Sequence, residues 1–189
     1  MINNYKKIVI ILALFSCFNL ICLYANGDSK LLEEGKNYLT NGQLDGAVIK
    51  FDTVIKNDTQ SADAYYYRGL AHYYKKDYPK AIQDFTDSSK LYFSLSEPAL
   101  QQSGDFIKFF SEQRSGEVKV KEGLPQKMMD ARQALAQEAD SYYWRGCAYG
   151  NQGDFEKTIV DLSKAIEINS QHFEAYKKRG DAYYEIRNY

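Results

Sequence analysis

Residues 62–95 read ADAYYYRGLAHYYKKDYPKAIQDFTDSSKLYFSL, and the order of glycine, aromatic and alanine in that stretch returns elsewhere in the chain at one fixed spacing. Gly35, Gly69, Gly146 and Gly180 each stand three residues before an aromatic or a histidine, namely Tyr38, His72, Tyr149 and Tyr183. Positions 35 and 69 are 34 residues apart, as are 146 and 180. A period of that length predicts stacked helical hairpins. One such hairpin cannot bury its apolar face alone, so neighbours stack and stability is a sum of repeat and interface terms.

The offsets extend into a second helix. Leu31, Gly35, Tyr38, Ala47 and Phe51 form one set, and Tyr65, Gly69, His72, Ala81 and Phe85 another. A third, Tyr142, Gly146, Tyr149, Thr158 and Leu162, has Thr and Leu where the others have Ala and Phe, and a fourth stops after Tyr176, Gly180 and Tyr183. Small residues let two helices approach closely while large ones flank the crossing. This pattern resembles the tetratricopeptide repeat, with its large residue, G-x2-Y and A-x3-F. The resemblance implies an all-α, right-handed superhelical solenoid of antiparallel helix pairs. It also implies a structural signature of Gly35, Ala47, Phe51, Gly69, Ala81, Phe85, Gly146, Ala165 and Gly180.

The expected boundaries are repeat 1 at 28–61, repeat 2 at 62–95, repeat 3 at 139–172 and an incomplete repeat 4 at 173–189. Turns within hairpins are expected at Asn41-Gly42, Lys76-Asp77 and Gln152-Gly153-Asp154. Asp28 or Ser29, Asp77 and Asp154 are the expected helix caps, with Pro79 in a first turn. Between repeats 2 and 3 the glycine spacing is too long for one period, and a degenerate repeat at 96–138 fills it. Ser96 and Pro98 are read as opening its first helix, which carries Ala99, Ser103 and Phe106. Its second helix begins near Pro125 with Leu124, Met128 and Ala131. The surplus falls in a loop at 114–123, RSGEVKVKEG. The lone helix from Phe173 would expose Tyr176, Ala182 and Tyr183, so the natural chain is expected to continue past Tyr189.

Residues 1–25 differ in composition. Lys6 and Lys7 precede an apolar run from Ile8 to Ala25 that only Ser16 and Asn19 interrupt, the form of a signal or anchor segment. Three readings stand: cleavage after Ala25, an uncleaved inner-membrane anchor, and lipid attachment at Cys17. Each places the repeats outside the cytoplasm, in the periplasm or cell envelope. Cys17 and Cys22 lie in this leader, which leaves Cys147 alone among the repeats and no disulfide framework. Cys147 is read as a small buried thiol.

With 24 Lys and Arg against 25 Asp and Glu, the net charge of −1 steers nothing toward phosphate backbones. No phosphate loop or metal-hydrolase motif occurs, and the two histidines, His72 and His172, are far apart in sequence. No catalytic residue, metal or cofactor is nominated, and His72 is read as packed. The chain is expected to be a non-catalytic scaffold with a protein or peptide partner. The alternative is the recognition region of a larger enzyme whose catalytic domain lies beyond Tyr189.

Members of the resembled family line a concave groove with the first helices of their hairpins. Here that implies Leu32, Lys36, Tyr66, Leu70, Tyr143 and Cys147, too apolar for the Lys and Asn clamp by which one variety holds a carboxylate. Helical spacing adds Tyr73 and Tyr74, giving an expected partner-binding stripe of Tyr66, Leu70, Tyr73, Tyr74 and Tyr143.

Overall fold

The computed structural model describes residues 27–101 and 126–187, with the side chains of 97–101 and 126–128 excepted. These residues form seven helices and no strand. They are α1 (27–40), α2 (Leu44–Asn57), α3 (Ala62–Tyr74), α4 (Tyr78–Gln101), α5 (Gln126–Asn151), α6 (Phe155–Ile168) and α7 (Phe173–Arg187). Each helix packs on the next, and α3 also meets α5 as α5 meets α7. The odd-numbered helices therefore share one side of the stack. The leader at 1–25 and the loop expected at 114–123 lie outside the described residues.

Within each hairpin the chain reverses by the same local device. Gln43 N–H reaches Tyr38 C=O and Gly42 N–H reaches Leu39 C=O. Asp77 and Lys76 donate likewise to His72 and Tyr73, and Asp154 and Gly153 to Tyr149 and Gly150. This pair of bonds closes a helix when the residue after its end is left-handed. Gly42 (φ 72°), Lys76 (φ 62°) and Gly153 (φ 81°) occupy that position. Asp154 accepts from Lys157 N–H as the cap of α6, and Asp77, just before α4, pairs with Lys80 Nζ at 2.8 Å. Between hairpins, Asp58 Oδ1 accepts from Gln60 N–H and Asn169 Oδ1 from Gln171 N–H, the side-chain turn these residues favour.

The core lies at the crossings. A Cβ on Gly35 would stand 2.5 Å from Cε1 of Phe51, and one on Gly69 2.9 Å from Cε1 of Phe85. Gly146 meets Cγ of Leu162 at 3.2 Å. Phe51, Phe85, Leu162, Ala47, Ala81 and Ala165 are fully buried, and Thr158 keeps its buried hydroxyl satisfied by donating to Gly146 C=O.

Three local expectations are corrected. Asp28 and Ser29 do not open α1, which already includes residue 27; Asp28 instead accepts from Asn57 Nδ2. Ser96 and Pro98 open no helix, because α4 runs through both to Gln101. The boundary drawn before Ala139 also falls inside a helix, the unbroken α5. The reason is tertiary. Tyr92 and Ser96 on α4 are buried, Tyr92 and Ala134 of α5 share one core cluster, and Ser88 Oγ meets Ser141 Oγ at 2.9 Å. That burial favours continued helix over the stop that serine and proline would otherwise suggest.

Because Lys76 holds a backbone conformation that Gly adopts without penalty, Lys76→Gly is expected to raise stability by about 0.5–1 kcal/mol. Gly153→Ala, at the equivalent position, is expected to lower it by about 1 kcal/mol. Urea denaturation of both variants checks the pair.

Candidate functional site

A recess of about 170 Å³ opens where α5, α7 and the start of α6 (Phe155, Thr158) meet, with Tyr73 of α3 at its edge. Tyr73 from α3, Cys147 and Asn151 from α5, and Lys178, Asp181 and Glu185 from α7 line it. Its rim carries two carboxylates and one ammonium. Cys147 is buried, and that burial pushes its thiol up to about 11, so the sulfur stays protonated and non-nucleophilic at neutral pH.

Beside the recess, aromatic rings join α3 to α5. Tyr73 meets Trp144 edge-on at 5.1 Å, Tyr74 at 5.7 Å and Tyr78 at 5.8 Å. Tyr143 meets Trp144 at 5.2 Å and His172 at 4.7 Å. Asn151 Nδ2 donates to the Tyr73 hydroxyl at 2.9 Å, fixing the ring at the mouth of the recess.

Of the expected stripe, Tyr73, Tyr74 and Tyr143 come together on this surface, Tyr74 exposed over about half its area (53%) and the other two more deeply buried. Tyr66 and Leu70 do not join them. Both are buried in the cluster that contains Phe85, Tyr92 and Ala134, and Tyr66 meets Phe85 at 6.1 Å. They are core residues because α5 lies across α3 there and covers that part of the face. Trp144, which the sequence reading passed over, is the ring that connects Tyr73, Tyr74 and Tyr143. Its signal was present: it is the one tryptophan of the chain and directly follows Tyr143. Lys36 is not a free clamp cation, since it pairs with Glu33 at 2.7 Å and lies 4.8 Å from the Tyr67 ring centroid. His72 is buried behind α3, where desolvation lowers its pKa against the opposing pull of Asp84 and Asp77.

A second feature escaped the sequence reading and recurs with the repeat. Arg68, immediately before Gly69, grips Asp84 with Nε (3.0 Å) and Nη2 (2.6 Å), and reaches back to Asp52 with Nη1 (2.7 Å). Arg145, before Gly146, grips Asp161 with the same two nitrogens at 2.7 Å each and reaches back to Thr86 Oγ1 at 3.1 Å. Each guanidinium lies over the tyrosine three residues earlier, Tyr65 at 5.4 Å and Tyr142 at 5.0 Å. In the first hairpin the polarity is reversed, Glu34 pairing with Lys50 at 2.6 Å. The recurring Arg-Gly and Asp-Phe or Asp-Leu dipeptides were the available signal.

One buried carboxyl has no such partner. Glu138 on α5 is 4% exposed, and its Oε2 accepts no hydrogen bond among the described residues. Desolvation raises its pKa to about 7, with Lys164 pulling the other way. An unfolded chain loses this proton near the ordinary glutamate value, so the folded chain binds more protons between the two, and its stability falls as pH rises through that window. Glu138→Gln removes the slope. Urea denaturation is expected to show it more stable than the parent by about 1–3 kcal/mol at pH 8 and nearly equal to it at pH 4.

Comparison with known proteins bears on residues 32–88 and 139–172, each of which matches a family model described as tetratricopeptide repeat. No curated protein is similar in sequence. Among solved structures, the first TPR domain of the human RPAP3 protein is 14% identical with a TM-score of 0.57, over 85% of this chain and 93% of that one. MamA protein is 20% identical with a TM-score of 0.33, over 84% of this chain and 81% of that one. YrrB, described as a TPR protein with an unusual peptide-binding site, is 20% identical with a TM-score of 0.31, over 79% of this chain and 90% of that one. The first of these carries the likeness of fold.

Proposed function

We propose that this chain, with tetratricopeptide repeats over residues 32–88 and 139–172, is a non-catalytic scaffold that holds a segment of a partner protein on its concave side. The observation that carries this reading is the ring surface of Tyr73, Tyr74, Tyr143 and Trp144 joining α3 to α5, beside the recess that Tyr73 shares with α5, α6 and α7. Rigid rings with hydroxyls at their edges offer apolar contact at low entropic cost, together with hydrogen bonds to a partner's backbone. The mixed, near-neutral charge of the rim favours a polar segment with apolar anchors over a nucleic acid.

Photo-crosslinking from position 74 should identify the partner, which is then titrated against variants. Tyr74→Ala and Tyr143→Ala are expected to weaken its binding by about 1–3 kcal/mol each with little change in melting temperature. Tyr66→Ala is expected to lower stability instead, by about 3 kcal/mol, because that ring is core. Unchanged affinity in both groove variants would remove the concave surface from consideration.

The proposed setting is outside the cytoplasm, supported by Lys6, Lys7 and the apolar run Ile8–Ala25. No helix among the described residues is long and apolar enough to cross a membrane, so anchoring would fall to the leader. Residues 1–40 fused to a reporter active only after export should give activity, and aspartate at positions 11, 12 and 14 should abolish it.

A further inference from the structure

The size of the recess limits what can enter it. At about 170 Å³ it falls below the roughly 300 Å³ at which pockets for whole small molecules begin, and near the roughly 150 Å³ that takes a group the size of benzene. It has room for one side chain. Its charges narrow the choice. Lys178, Asp181 and Glu185 are exposed, and among the described residues neither carboxylate forms an ion pair or hydrogen bond. Lys164 does pair with Glu167, at 3.1 Å, with the same spacing and order that relate Lys178 to Asp181. Asp181 and Glu185 stand four residues apart on one helix face, where like charges repel, and Glu185 lies in the last turn of α7, where the helix dipole opposes a carboxylate. Both placements cost α7 stability that a cation in the recess would offset.

The recess is not the seat of a hairpin's second helix. In the complete hairpins that helix packs on the glycine stripe, Phe85 against Gly69 and Leu162 against Gly146. Asp181 and Glu185 stand off this stripe. One period earlier on α5 their counterparts are Cys147 and Asn151, which line the same recess with α6 already in place.

We propose that the recess receives an arginine side chain of the partner segment, an inference that rests on the ring surface being the partner-binding face. The guanidinium would lie between Asp181 and Glu185 with Tyr73 as an aromatic wall, a ring already held by Asn151. An apolar side chain would leave both carboxylates unmet, and an acidic one would face two like charges. Arginine suits the site better than lysine because its planar fork meets two carboxylates at once and stacks on a ring. The chain itself contains this arrangement: Arg68 spans Asp52 and Asp84 while lying over Tyr65 at 5.4 Å.

Capped pentapeptides Gly-Leu-X-Leu-Gly, with X arginine, glutamine or glutamate, serve as probes of the full chain. Binding is followed by the fluorescence of Trp144, the one tryptophan, whose ring lies 5.1 Å from that of Tyr73. The arginine peptide is expected to bind about fivefold tighter than the glutamine peptide, and the glutamate peptide more weakly still. Asp181→Asn combined with Glu185→Gln, both at exposed positions, should erase that preference while leaving the glutamine peptide's affinity and the melting temperature unchanged. Equal binding of the arginine and glutamine peptides, a preference that survives the double substitution, or no saturable change with any peptide overturns the proposal. So does N-acetylarginine amide binding as tightly as the arginine peptide, which assigns the recess to a free guanidino compound. Tyr74→Ala separates this proposal from the reading it rests on. A preference for arginine that persists while Tyr74→Ala changes nothing refutes the ring surface alone. Absence of the preference in the parent chain while Tyr74→Ala weakens every peptide refutes the recess alone.

Discussion

The closeness of two helix backbones at each hairpin crossing is the constraint from which the rest of this structure follows. Phe51 and Phe85 occupy the space a side chain would take on Gly35 and Gly69, and Leu162 does the same at Gly146 with less reach. A side chain at Gly35 or Gly69 would displace a fully buried ring, and one at Gly146 would press on Leu162, so the crossing tolerates little variation. The 34-residue period is this one contact, repeated. Fixing the crossing fixes the short turn beyond it, which must close within a few residues and does so through a left-handed position.

The arginine pairs extend that contact sideways. Arg68 and Arg145 sit one residue before the crossing glycine, and their acids one residue before the crossing apolar group, so closing the helices brings both halves of each pair together. The third nitrogen of each guanidinium spans to the previous hairpin, which couples neighbours that would otherwise be joined by apolar packing alone. Asp84 and Asp161 are almost wholly buried, and a carboxylate so placed is tolerable only while both oxygens are satisfied. The planar fork of arginine meets that need where a lysine would not.

The middle of the array departs from the period, and the departure shapes the side shared by α3, α5 and α7. α4 and α5 are 24 and 26 residues long, nearly twice the 13 and 14 of α3 and α6. Between them Ser88 meets Ser141 through their hydroxyls and Tyr92 shares a core cluster with Ala134. This seam sets how α5 crosses α3, and hence which rings of α3 are covered and which remain open.

The sequence by itself determined the hairpin crossings, the turns at Gly42 and Gly153 and the packed His72 and Cys147, because each depends on residues a fixed, short distance apart along the chain. Tertiary structure alone decided the continuity of α4 through Ser96 and Pro98, where burial against α5 outweighed local helix-stopping tendencies. It also decided the division of one helical stripe into core (Tyr66, Leu70) and surface (Tyr73, Tyr74). Spacing places those four on one side of α3, but only the path of α5 determines how far along that side the cover extends. The link from Tyr73 to Trp144 has the same origin: it joins helices separated by the irregular middle of the chain, where no fixed offset relates one residue to the other.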